Sequence, residues 1–291
     1  MITDGDRCED MSYSRAVKSF LDGGSFAIAM SAHLRNVMRA LIGLLATLGC
    51  TVCSAGDLAA GDVLADAKLY FTAPLNWDAD NWKYFGAALL ATGVAHEYDD
   101  NVRAHFAGGR HAAGAGEDPN GLEDAVPAAL LLGGTLTAAL LTHDHDGYTE
   151  TWSMVEASAL SGIAGLTLKY ALGRERPNDT TQVDSWFEGG DSFPSMHTTL
   201  AFAIGTVFAE SGDDHYRWVR RALGYGVAGG TAYLRLRGNV HWLSDTVAGA
   251  TLGMATAQFV MNRRQGTHPR AFLQIIPVGD GLMVSYSAPL H

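Results

Sequence analysis

Cysteine is nearly absent from this chain. Its three cysteines (Cys8, Cys50 and Cys53) all fall in the first 53 of 291 residues. Beyond them no disulfide can staple the fold and no thiolate can act as nucleophile or metal ligand. Positive charge is also scarce: 20 Lys and Arg against 31 Asp and Glu leave a net charge of −11. That balance argues against nucleic acid, or an anionic membrane surface, as the main partner. Long apolar runs are rare as well. A helix needs about 20 apolar residues to cross a bilayer. Charged or polar residues limit the stretches after Lys83, Glu156 and His197 to 12 residues each, after Arg221 to 13 and after Asp245 to 16. Only Ala125–Thr142, at 18, comes close. Zinc-protease and dinucleotide-binding fingerprints are missing, as are internal repeats and low-complexity linkers.

What is present is alanine, leucine and glycine. The chain is 47% hydrophobic, and its alanine- and leucine-rich stretches favour helices over strands. The 34 glycines suggest close helix contacts or frequent loops. The pattern predicts an all-α domain of six helices, over about 80–98 (entered through Asp78 and Asp80 as caps), 123–142, 149–172, 195–211, 216–235 and 241–263. Two β-like runs, 272–277 and 282–287, flank Gly279-Asp280-Gly281 and read as a C-terminal hairpin. Short helices and few cations favour a soluble or peripherally attached bundle, with a membrane-associated protein as the alternative.

The N-terminus reads as an export signal. Arg35 and Arg39 precede the apolar run 40–49, and Ser54, Ala55 and Gly56 offer a small-residue cleavage site near Ala55. Residues 1–55 are therefore set apart as extension and signal, and 56–291 form one domain with its core at about 80–263. Translation from Met30 or Met38 would account for the acidic segment ahead of the signal. A lipoprotein signal using Cys50 or Cys53 is the rival. The expected location is periplasmic or secreted.

The basic residues are unevenly placed. Lys169, Arg174, Arg176, Arg235 and Arg237 cluster around three short segments. The first is Lys169-x6-Arg176-Pro177, the second Phe193-Pro194-Ser195-Met196-His197 and the third Arg235-x5-His241-x3-Asp245. Cations concentrated in an acidic protein point to a focused anion site. Lys169 supplies a point charge and Arg176 a planar fork. Ser195 opens a helix, whose N–H groups favour a phosphate. His241 and Asp245 share a helix face, so the carboxylate can accept the Nδ1 proton and leave Nε2 free as a nucleophile. Taken singly, each segment also fits a structural role, as helix-end charges, a cap or an ion pair. Thr142-His143-Asp144-His145-Asp146 and His96-Glu97-Tyr98-Asp99-Asp100 read as polar helix ends.

Together the segments resemble the type 2 phosphatidic acid phosphatase superfamily, whose pattern is K-x6-R-P, P-S-G-H and S-R-x5-H-x3-D. That superfamily also includes bacterial acid phosphatases and vanadium haloperoxidases. The chain departs from the pattern at Met196, which replaces the glycine, and at Leu234, which replaces the serine. The resemblance implies a six-helix bundle and phosphoryl transfer without metal or other cofactor. It implies His241 as nucleophile, Asp245 as its orienting carboxylate and His197 as general acid and base. Lys169, Arg176, Ser195, Met196 and Arg235 would bind phosphate. The implied substrates are phosphomonoesters, with lipid phosphates and pyrophosphates among them. A vanadate-dependent haloperoxidase and a non-enzymatic bundle are the competing functions.

Overall fold

The computed structural model describes residues 60–107, 122–212, 214–265, 272–278 and 281–287. The signal, its cleavage site, the three cysteines and the 108–121 loop lie outside the described residues. The described residues all belong to one compact unit, Ala55–His291.

Eight α-helices are described. They are α1 (Ala60–Thr72), α2 (Ala79–Glu97), α3 (Asp99–Ala107), α4 (Leu122–Thr142), α5 (His145–Leu172), α6 (Met196–Glu210), α7 (Arg217–Arg237) and α8 (Leu243–Gln265). The expected count of six omitted α1 and α3. Pro74 interrupts regular α-helix after α1, where a 3₁₀ turn follows. The His96–Asp100 segment read as a helix end, but only Tyr98 separates α2 from α3. Asp78 does cap α2, accepting the Asn81 N–H at 2.8 Å. Asp144 caps α5, so that helix starts four residues before the expected position. Two strands, β1 (Phe272–Val278) and β2 (Gly281–Ser287), pair antiparallel with Ile275 opposite Val284.

Helix α6 is the centre of the bundle, flanked by α7 and α8. Small residues permit this packing. A methyl added at Gly205 of α6 would lie 2.5 Å from the Gly224 carbonyl oxygen of α7. One added at Gly253 of α8 would lie 2.3 Å from the Thr199 carbonyl oxygen of α6. Backbone therefore touches backbone on both sides of α6. Ala157, Ala201, Ala203, Ala228 and Ala257 continue this small-residue core, with Met154, Val207 and Val260 filling the gaps. Gly253→Ala is expected to destabilise by about 3 kcal/mol, because neither backbone can yield without moving a helix. The thermal midpoint should fall by about 10 °C, and an unchanged midpoint would mean the helices are not in backbone contact.

The packing sets the site's position. The C-terminal ends of α5 and α7 and the N-terminal ends of α4, α6 and α8 carry Lys169, Arg235, Asp124, His197 and Asp245 respectively.

Candidate active site

Lys169 occupies the last turn of α5. Gly173 ends that helix in the left-handed region, at φ 49°, and donates its N–H to the Lys169 carbonyl at 3.0 Å. The chain then folds back on itself. Phe187 N–H bonds the Leu172 carbonyl at 2.8 Å, and Ser192 N–H bonds the Arg174 carbonyl at 2.8 Å. A methyl at Gly190 would lie 2.3 Å from the Arg174 oxygen, so only glycine permits this approach. The fold-back places Asp191 over the first motif. Its backbone carbonyl accepts from Lys169 Nζ. Its carboxylate takes the Arg176 fork, with Nε to Oδ1 at 2.6 Å and Nη2 to Oδ2 at 2.9 Å.

Ser195 is the N-cap residue of α6 and is fully buried. Its N–H donates to the Asp245 carbonyl at 3.0 Å, which joins the second motif to the third. Its hydroxyl accepts from Thr198 Oγ1 at 3.0 Å. Met196 is the first residue of α6. Its thioether leans onto α5, where a methyl at Gly165 would meet Met196 Cε at 3.2 Å. The side chain that replaces the superfamily's glycine thus packs one turn before Lys169.

His241 does not share a helix with Asp245. It lies in the turn before α8, and Asp245 is the third residue of that helix. The local fold still brings them together, with His241 Nδ1 3.5 Å from Asp245 Oδ2. Both are buried, with His241 4% exposed. Burial holds the His241 imidazole well below its ordinary range, and the charges of Lys169, Arg176, Arg235 and His197 push the same way. The three segments therefore converge on His241, whose ring is neutral with a lone pair available. Burial and the Arg235, Arg176 and Lys169 charges likewise lower His197, to about 4, against an opposing pull from Asp124. Arg235, 2% exposed, gives Nη1 to Asp124 of α4 at 2.7 Å.

Beneath the predicted residues lies a layer that sequence reading did not assign. Arg174 is fully buried and bridges two fully buried carboxylates. Its Nη1 donates to Asp245 Oδ1 at 2.8 Å and its Nη2 to Asp99 Oδ2 at 2.8 Å. The guanidinium carbon lies over the Trp186 and Trp242 rings, 4.5 and 5.0 Å from their centroids. Asp99 also accepts from the Ser244 N–H at 2.8 Å and hydroxyl at 2.6 Å. The other oxygen of Asp245 accepts from Ser192 Oγ and, at 2.9 Å, from the Trp242 N–H. His96 Nδ1 lies 3.0 Å from Asp99, and its Nε2 lies 3.0 Å from Asp184. The His96–Asp100 segment is therefore not merely a polar helix end. It braces the carboxylate that faces His241. Arg174 stood among the clustered cations of the sequence, but no pattern there pointed to its burial or its two carboxylate partners. Nothing in the sequence points to Asp99.

The Thr142–Asp146 patch sits at the opposite end of α5 from Lys169. There Asp144 accepts the Asp146 N–H at 3.1 Å. Among the described residues no three His, Cys, Asp or Glu side chains are grouped to hold a metal ion.

Residues 150–268 match the PAP2 superfamily model. A curated relative, the lipid A 1-phosphatase of Porphyromonas gingivalis, is 33% identical over 119 residues, which is 39% of this chain. The chain spans only about a quarter (25%) of that relative's length. Two solved structures are similar. LpxE of Aquifex aeolicus is 21% identical, with 56% of this chain and 93% of that one covered, at a TM-score of 0.40. A transmembrane PAP2-type phosphatidylglycerolphosphate phosphatase from Bacillus subtilis is 15% identical, with 79% and 96% covered, at a TM-score of 0.37. The assignment rests on the sequence match rather than on these superpositions. All three motifs fall inside the matched segment, so it is the 150–268 region of this chain that matches the PAP2 superfamily, the type 2 phosphatidic acid phosphatases.

Proposed function

We propose that this protein is a metal-independent phosphatase that acts on phosphomonoesters carried by lipids and works through a phosphohistidine intermediate. The convergence of Lys169, Arg176, Arg235 and His197 on a buried, neutral His241 carries this reading. His241 Nε2 attacks phosphorus while His197 gives its proton to the leaving oxygen. Water, deprotonated by His197, then attacks the phosphohistidine and releases phosphate and free His241. Asp245 stabilises the imidazolium between the two steps. Lys169, Arg176, Arg235, Ser195 and the Met196 N–H hold the equatorial oxygens, where charge accumulates.

The surface supports a lipid substrate and weighs for the membrane-associated alternative over a soluble bundle. Glu123–Thr142 is long and apolar enough to cross a bilayer, and only 11% of its apolar window is buried. Helix α2 buries only Ala95, and its Phe85, Leu89, Leu90 and Val94 are exposed, as are Leu130, Leu140 and Leu141 of α4. Exposed apolar faces of this extent mark a membrane or partner contact. Trp82 and Tyr84, also exposed, lie near the start of α2, where interfacial aromatics anchor a protein at the headgroups.

The test is release of phosphate from phosphatidic acid in detergent micelles and from a soluble aryl phosphate, both with excess chelator. The full chain should hydrolyse the lipid with the higher kcat/KM, and loss of all turnover in chelator would sink the mechanism. The pH profile gives a second check. His197 must be protonated for the first step, and in the free enzyme it is held at about 4. Corrected for substrate ionisation, kcat/KM should therefore fall as pH rises above that value. A bound phosphate dianion offsets the surrounding cations and raises His197, so kcat should peak at a higher pH than kcat/KM. Coincident profiles would remove His197 as the acid.

A further inference from the structure

Arg176, placed above among the groups that hold phosphate, already carries an anion. Both arms of its fork lie on the Asp191 carboxylate, at 2.6 and 2.9 Å. This is the planar, two-point geometry by which arginine binds a phosphate. Phosphate and Asp191 cannot both take those N–H groups.

The two partners differ in freedom. The Arg176 side chain is 19% exposed and that of Asp191 is 62% exposed. The backbone beneath Asp191 is pinned on both sides. Its own carbonyl accepts from Lys169 Nζ, Ser192 N–H bonds the Arg174 carbonyl at 2.8 Å, and Ser192 Oγ bonds Asp245. The carboxylate can therefore swing into water by side-chain rotation alone while the loop stays in place.

We propose that Asp191 is an affinity-determining residue of the phosphate site. Its carboxylate competes with phosphate for the Arg176 fork, leaves it when phosphate binds, and returns to it to help expel inorganic phosphate after the second step. This rests on the phosphatase reading above. The competition also persists in acid. Burial alone would raise the Asp191 carboxyl, but the Arg176 hydrogen bonds and the Arg176, Lys169 and His241 charges bring it down to about 2. It is then ionised across the whole range in which the enzyme could work.

The experiment is calorimetric titration of the full chain with inorganic phosphate, for wild type, Asp191→Asn, Asp191→Ala and Asp179→Asn. Asp179 is an exposed acid of the same loop with no place in the site, so its variant reports the general effect of one lost negative charge. Removing a half-exposed, charge-assisted competitor should tighten the phosphate Kd about tenfold in both Asp191 variants. Asp179→Asn should change it less than about twofold, as befits a screened surface charge. The Ki of phosphate against aryl phosphate hydrolysis should follow the same order. An unchanged or weaker Kd in the Asp191 variants would overturn the proposal and make Asp191 a support for Arg176 rather than its competitor. In that case phosphate binding by the wild type would leave the phosphatase reading standing. Failure of every variant to bind phosphate would overturn both.

Discussion

His241→Ala is expected to abolish phosphate-ester turnover, with a loss of about 10⁵-fold in kcat. The size of the effect follows from the role. A general acid can be replaced in part by solvent, whereas a nucleophile that forms the covalent intermediate cannot. His241 is 4% exposed, neutral through burial, and faced by the Lys169, Arg176 and Arg235 charges. A neutral imidazole among cations has its lone pair available and can become cationic only when a phosphoryl group arrives to balance the charge. The measurement is rapid acid- and base-quench of wild type with phosphorus-labelled substrate. Base-stable, acid-labile label on the wild-type protein, absent from His241→Ala, would identify the phosphohistidine. Retention of more than about 1% of wild-type kcat by the folded variant would show that another group attacks phosphorus.

Arg174→Met is expected to cost about 3–5 kcal/mol of stability, the range for removing one partner of a buried charge pair. It should also remove most activity. The guanidinium is the cation shared by Asp99 and Asp245, and all three side chains are fully buried. Without it, burial favours the protonated form of Asp245, which raises that carboxyl even in the native protein against the pull of Arg174, Ser192 and Trp242. A protonated Asp245 can no longer stabilise the His241 imidazolium. Arg174→Lys should not rescue, because a compact ammonium lacks the planar fork whose two Nη atoms reach Asp99 and Asp245 separately. Adding Asp99→Asn to Arg174→Met should cost less than the sum of the single changes, because the second substitution removes a charge the first has stranded. Urea midpoints of the four proteins measure this coupling, and strict additivity would show that Arg174 and Asp99 do not act as a pair.

The candidate site residues were legible because each motif is local. Lys169 and Arg176 are held by one helix end and the turn after it. Ser195, Met196 and His197 open one helix, and His241 and Asp245 meet through a single turn. Pattern reading erred where a boundary depended on a neighbour. The His96–Asp100 segment looked like a solvated helix end because its composition is that of one, and Glu97, Tyr98 and Asp100 are exposed; Asp99 alone is buried, held by Arg174 and Ser244. Met196 stands where the superfamily pattern has glycine. Its direction onto α5 depends on the space left by Gly165, which no local rule connects to position 196. Short apolar stretches argued for a soluble bundle, but counting residues between charges does not tell which face of a helix is covered. The exposed leucines of α2 and α4 became visible only once the neighbouring helices were placed.

Sequence alone was enough for the helical class, the cap at Asp78, and the residues proposed as nucleophile, acid and phosphate-holding cations. Helix periodicity, capping and motif spacing are short-range properties, set by backbone geometry within a turn or two. Tertiary structure decided what the cations hold, what braces Asp245 and which face is apolar. Ser244 and Asp99 lie 145 residues apart, and the Arg235 partner Asp124 lies 111 residues away. Hydrogen bonds and ion pairs at such separations form only when packing removes water and brings the groups within reach, and here backbone contacts at Gly205, Gly224 and Gly253 bring the helix ends together.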